Sequence, residues 1–284
     1  MKEMAIGTNQ DPFLKAPHWT LESIIRAAGD LDIGLRFFEI APAEHLEFTF
    51  NTMTTKKRVS VLEVAKSYNM DFTIHGPWCE PVSGISCVND GIRREAVKQL
   101  KKCFQLAYDL EAPLVTVHGG SESCVSKHYS GQAWKNMIMS LKETLVIAAD
   151  LGIDLCVENM PVSTNASSKS EPYLLTQPKE FHALFNEINH DRLKMTFDIG
   201  HANVGHGDID SFIEQFGKIF RSIHINDNDF EHQHWSVGKG IIDYDVYLKK
   251  ISMMGYDGPY VLEVSSIEDI VISCNTLRQI VSRL

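Results

Sequence analysis

Residues 112–120 read APLVTVHGG, an apolar run that stops at His118 and gives way to two glycines. A run with almost no polar alternation fits a strand buried on both faces of a parallel sheet. The layout returns along the chain. FTIHGPW stops at His75, CVENMP at Glu158, TFDIGHAN at Asp198 with His201 three residues on, SIHIND at His224 and YVLEVS at Glu263. One polar residue at a strand end is ordinary. Six strands that each stop at His, Asp or Glu describe a metal site at the mouth of a barrel.

Strand and helix patterns alternate from end to end. Strands are expected near 3–8, 35–41, 71–76, 113–118, 154–159, 194–199, 221–226 and 259–264. Helices are expected near 18–29, 56–69, 91–110, 130–151, 178–188, 208–217, 243–254 and 267–283. In the helix over 91–110, Ile92, Ala96, Leu100, Phe104 and Ala107 recur at three- and four-residue steps, with Val97 alongside and most Lys and Arg elsewhere. Eight such units predict an α/β fold of the (β/α)8 TIM-barrel type, one domain over 1–284, with its site at the C-terminal ends of the strands. A doubly wound sheet would gather its chemistry at one switch point, and TNQDPF stands where a GxGxxG would follow strand one. The polar stretch STNASSKSEP (163–172) suits an active-site loop better than a domain boundary.

Composition narrows the function. With 44% hydrophobic and 23% charged residues, a large core is expected and disorder is not. The net charge of −10 argues against loose nucleic-acid binding by a basic surface, but is compatible with cations that offset acidic side chains. Six cysteines without CxxC spacing read as reduced thiols. MKEMAIGTNQ has no signal-type apolar core, and no apolar run approaches the ~20 residues of a membrane span. Cytoplasm without membrane association is the expectation, and association of copies into a homo-oligomer stays open.

Neighbouring strand ends converge, so Glu158, Asp198, His224 and Glu263 can share one divalent cation, with Zn²⁺, Mn²⁺, Fe²⁺ or Co²⁺ all suited. His75 and His118 can complete a second position bridged by Glu158, and His201, His232 and His234 a third. Each has a plainer alternative: a carboxylate that caps a helix, a buried imidazole that donates to a carbonyl, or chance histidines on a loop. His18, His45, His128, His182 and His190 read as surface residues. Glu39, at the end of strand two, is read as binding substrate or bracing His75. Trp78 and Trp235 suit the apolar face of a sugar or base, and glycines beside Lys239 would let backbone N–H groups approach an anion.

These residues resemble the xylose isomerase-like TIM-barrel superfamily, which spans sugar isomerases and epimerases and the endonuclease IV type of apurinic endonuclease. The resemblance runs from Glu39 through GYDGPYVLEV and is most specific in the DIGHAN, HIND, HWSVGKGIID and LEV blocks. Likeness to the ketose epimerases implies one metal on Glu158, Asp198, His224 and Glu263, with the two glutamates exchanging the substrate proton and His201 touching substrate. Likeness to the endonuclease implies a zinc cluster on His75, His118, Glu158, Asp198, His201, His224, His234 and Glu263, with His232 where that family has aspartate. The cofactor implied is therefore Zn²⁺ or Mn²⁺, between one and three per chain. The endonuclease's glycine-rich first loop is absent. No Lys or Arg stands between His224 and Lys239, where Asp227, Asp229 and Glu231 make the loop acidic. The leading expectation is a metal-dependent isomerase or epimerase of a small keto sugar or polyol. The alternative is a zinc-dependent phosphodiesterase acting on abasic DNA.

Overall fold

The computed structural model describes residues 4–14, 20–42, 52–77, 84–120, 130–162, 173–204, 207–231 and 233–284. Trp78, His232 and the loop 163–172 lie outside them. Eight strands close into one parallel barrel in chain order: β1 (Ile6–Asn9), β2 (Phe37–Ile40), β3 (Asp71–His75), β4 (Leu114–His118), β5 (Asp154–Glu158), β6 (Leu193–Asp198), β7 (Phe220–Ile225) and β8 (Tyr260–Leu262). β1 pairs with β8, which closes the ring and leaves no sheet edge. The helices between strands are α1 (Leu21–Asp30), α2 (Thr55–Ser67), α3 (Asp90–Asp109), α4 (Ser130–Leu151) and α5 (Pro178–Glu187). They continue with α6 (Ile199–Asn203), α7 (Ile209–Phe216), α8 (Tyr244–Met253) and α9 (Ile267–Arg283). The expected (β/α)8 barrel is the fold. Among the described residues, no helix is long and apolar enough to cross a membrane.

Local chemistry sets where the helices begin. The side chains of Thr20, Asn89, Asp243 and Ser266 accept hydrogen bonds from first-turn N–H groups of α1, α3, α8 and α9. Each removes an orphan donor at the point where the chain leaves the mouth of the barrel. Packing then fixes the helices on the sheet. Phe197 of β6 stacks on Phe220 of β7 at 4.7 Å, and Phe212 of α7 meets Phe181 of α5 edge to face at 5.6 Å. This aromatic layer seats the strands that carry Asp198 and His224.

The interior departs from the sequence reading in two ways. Ile92, expected on the buried face of α3, is 37% exposed, whereas its neighbour Arg93 is buried. Arg93 bonds to Asp90, Ser140 and Glu143, so its guanidinium goes inside with partners and bridges α3 to α4. The short helix α6 was not expected. It forms because Asp198 ends its strand and caps the next turn, accepting from the His201 N–H at 2.7 Å.

Candidate metal centre

Strand register builds the site. His118 and Glu158 are paired Cα neighbours on β4 and β5, and so are Asp198 and His224 on β6 and β7. The Glu263 N–H, just past β8, donates to the Ile225 carbonyl at 3.0 Å. Ligand atoms of Glu158, Asp198, His224 and Glu263 thereby lie within 4.8 Å of one another, and so do those of His75, His118 and Glu158. Glu158 belongs to both groups. Its Oε2 is 3.2 Å from His75 Nε2 and 3.1 Å from His118 Nε2, and its Oε1 is 3.2 Å from His224 Nδ1. Of the expected third group, His201 and His234 face each other with ring centres 5.8 Å apart, and His232 lies outside the described residues.

A second layer orients these groups. His224 Nδ1 faces the cluster, 3.1 Å from Glu263 Oε1, and Nε2 faces Glu39 Oε1 at 3.3 Å. Thr73 donates to the other Glu39 oxygen at 3.0 Å. Glu39 thus braces His224 and not His75, as the sequence had suggested. His75 instead meets the Gly76 carbonyl through Nδ1 at 2.7 Å. Asp198 is aimed by two asparagines that sequence reading missed. Asn226 Nδ2 donates to both its carboxylate oxygens, at 3.3 and 3.1 Å, and Asn159 clamps its backbone N–H and C=O. Each stands one residue past a strand end, which was the available signal.

Electrostatics test whether this set suits a cation. Three carboxylates converge here with Glu158 and Asp198 buried, an arrangement that needs positive charge. Protons supply it among the side chains alone. Burial works against His224, but the charges of Glu263, Glu39 and Glu158 hold its pKa well above the usual imidazole value. Burial likewise works against His75, and Glu158 then pushes it up to about 9. Burial raises Asp198, with help from Glu263 and Glu158, to about 8. Burial opposes ionisation of Glu158 and Glu263 also. The charge of His224 overcomes it, holding Glu158 well below its normal range and Glu263 down to about 2. A divalent ion can replace these protons on hard oxygen and imidazole donors, so the residues fit a metal.

The cluster opens into a cavity of about 510 Å³, lined by Glu39, His75, His118, His201, His234 and Glu263 together with residues not foreseen, among them Asn9, Asp11, Tyr173 and Gln233. His201 is held by the Asn159 carbonyl, 3.0 Å from Nδ1, and burial pulls its pKa down to about 4, so the ring is neutral. Its Nδ1–H therefore donates, and Nε2 has acceptor character. Trp235 and Lys239, expected against substrate, are absent from this lining; the ammonium sits 5.3 Å from the indole centre instead. His182 and His190 are exposed, as expected.

Between β7 and α8, the loop that carries His234 hangs on Asp227. This carboxylate is buried and accepts from the N–H groups of Asn228 (2.9 Å), Gly238 (2.9 Å) and Ile242 (3.2 Å). Its backbone pairs with Trp235 in both directions. His234 is thereby placed with Nδ1 3.0 Å from the Glu263 carbonyl.

Comparison with known proteins agrees with this architecture. The protein MJ1311 of Methanocaldococcus jannaschii is 28% identical over 225 residues, 77% of this chain and 73% of the relative. A ketose 3-epimerase of Arthrobacter globiformis is 30% identical over 116 residues, 41% of this chain and 36% of the relative. The crystal structure of a D-tagatose 3-epimerase-like protein matches with a TM-score of 0.85 at 24% identity, over 99% of this chain and 98% of that one. The family model described as xylose isomerase-like TIM barrel matches residues 28–280, and this chain belongs to that family.

Proposed function

We propose that the protein is a divalent-metal-dependent epimerase or isomerase of a small keto sugar or polyol. The observation that carries this reading is the pair Glu158 and Glu263, 3.2 and 3.1 Å from the same His224 nitrogen, with Glu263 on the wall of a cavity of about 510 Å³. Similarity to proteins named ketose 3-epimerase and D-psicose 3-epimerase supports it. Glu158, Asp198, His224 and Glu263 would hold the ion, which when bound supplies polarisation of a carbonyl oxygen. Glu263 opens on the cavity and takes or returns the proton at the carbon beside that carbonyl. Glu158 serves the other face; its Oε1 lies beside His224 Nδ1 and its Oε2 lies between His75 and His118. His201 accepts a hydroxyl proton at Nε2 and so fixes the orientation of the sugar.

The test is proton exchange in deuterated water across a panel of keto sugars. Wild type should wash deuterium into one carbon of its substrate. Glu158→Gln should lose roughly 10²–10⁴ of that rate, since an amide cannot take the proton. No exchange with any ketose or polyol, or an unimpaired Glu158→Gln, would sink this reading.

One observation favours a second reading. The group His75, His118 and Glu158 offers a further cation position beside the first. Paired metals suit phosphodiester hydrolysis, for which abasic DNA is the substrate class. The acidic balance counts against it, because phosphate contacts from Lys and Arg dominate DNA affinity. Efficient incision of an abasic duplex by zinc-loaded protein, lost on chelation, would reverse the ranking.

A further inference from the structure

One wall of the cavity is built by β1 and by the segments after β7 and β8. β1 delivers Asn9, and the turn after it delivers Asp11. The β7–α8 loop contributes Gln233, and the residues after β8 contribute Val264 and Ser265. Asn9 Oδ1 and Gln233 Oε1 are both buried without a hydrogen-bond partner. Buried amide oxygens are rarely left unpaired in native proteins, and both residues stand on the wall of this cavity. Gln10 is not available for this. Its Nε2 donates to the Ala41 carbonyl at 2.8 Å and its Oε1 accepts from the Ala41 N–H at 3.1 Å, which ties the loop after β1 to the end of β2. Asp11 adds an anionic acceptor whose surface is open to the cavity. Among the described residues, no Lys or Arg lines this space.

We propose that Asp11 is a specificity-determining residue, the anionic member of a subsite that takes the non-reacting end of the substrate by its hydrogen-bond donors. This rests on the sugar reading above and names which sugars. An amine-terminated sugar binds more tightly than a hydroxyl-terminated one, and a phosphate-terminated sugar binds worst. An ammonium offers donors and a charge complementary to Asp11, a hydroxyl offers one donor, and a phosphate brings like charge to a wall that has no Lys or Arg among the described residues. The simpler role for Asp11 is to favour the first turn of the short helix Asp11–Phe13. That role predicts an effect on stability and none on which terminus binds.

The experiment is calorimetric binding of a free ketohexose, its 6-amino-6-deoxy analogue and its 6-phosphate, to Mn²⁺-loaded and to chelator-treated protein at neutral pH. In wild type the amine should bind at least about tenfold more tightly than the phosphate, as expected for a hydrogen bond to a charged group. Asp11→Asn should narrow that gap to about threefold or less, and Asp11→Lys should reverse it. Thermal denaturation of both variants checks that they are folded. The proposal is overturned if wild type prefers the phosphate, if Asp11→Asn leaves the ranking unchanged, or if none of the three sugars binds. Rank order in binding does not depend on turnover. Deuterium exchange with a phosphate-first ranking removes the subsite and keeps the epimerase. An amine-first ranking that Asp11→Asn abolishes, without exchange, keeps the subsite and removes the epimerase.

Discussion

His224 Nε2 and Glu39 Oε1 lie 3.3 Å apart at the bottom of the site, and both residues are almost completely buried. The pair settles which imidazole nitrogen faces the carboxylate cluster. With Nε2 turned toward Glu39, Nδ1 is the ring nitrogen beside Glu158 and Glu263. Carboxylates behind metal-binding histidines typically contribute ~10–100-fold in metal affinity. Glu39→Gln should therefore weaken Mn²⁺ or Zn²⁺ binding by about that factor, measured by competition with a chromogenic chelator, with little change in circular dichroism. Unchanged affinity would remove Glu39 from the site.

Metal binding should release protons and strengthen with pH. Asp198 holds its proton up to about 8, and His224 well beyond the ordinary imidazole range, so a cation must displace both. Calorimetry in buffers of different ionisation enthalpy measures the release directly. The same shifts set the stability of chelator-treated protein. For His75, stability is fully present below 6.5 and lost as pH rises through about 9; for Asp198 it is present below 3.8 and lost through about 8. Glu263 acts oppositely, contributing above 4.5 and losing its contribution as pH falls toward about 2. The melting temperature should thus decline from pH 6.5 to 9 without metal, and the stabilisation by added metal should grow over that window. A gap that narrows would contradict the site's electrostatics.

Gly200 should not tolerate a side chain. A Cβ there would stand 1.7 Å from Asn226 Oδ1, and moving Asn226 takes its amide off Asp198. Gly200→Ala is expected to reduce metal affinity by roughly tenfold or more. Gly131→Ala, where nothing lies within 4 Å, is the matched control and should leave affinity alone.

Asp227→Ala should destabilise the protein by on the order of 3–5 kcal/mol, because three N–H groups lose a buried charged acceptor at once. Asp227→Asn repairs this only in part, since its NH₂ must face an N–H donor. Hydrogen exchange locates the effect: protection of the Gly238 and Ile242 amides should fall in both variants while that of β4 and β5 amides persists. Uniform loss across the barrel would mean that Asp227 supports the whole fold and not this loop.

The barrel was legible because each inner strand, such as Leu114–His118, is covered on both faces and so reads as an uninterrupted apolar run. The ligands were legible because those runs end where the side chains converge. The loop after β1 broke the pattern: TNQDPF was weighed only as a missing glycine motif, yet applying the strand-end rule to it would have marked Asn9 and Asp11. The partner of Glu39 was not legible, because barrel stagger decides which strand ends meet across the mouth. Arg93 was misjudged for a related reason. Its partners, Ser140 and Glu143, are on another helix some fifty positions away, outside any local pattern.

The Asp227 carboxylate grips the loop by main-chain N–H groups among the described residues. Such a fastening is blind to sequence between its contact points. Gly240 marks where the indifference ends, since a Cβ there would meet Asn228 backbone and the Asp227 carboxylate at 2.3 Å. Asp229, Glu231 and Gln233 fall inside the tolerant interval. A combinatorial library at those three positions can retune the rim of the pocket while the hinge points of the loop stay put, which makes this segment the natural entry for laboratory evolution of what the pocket binds.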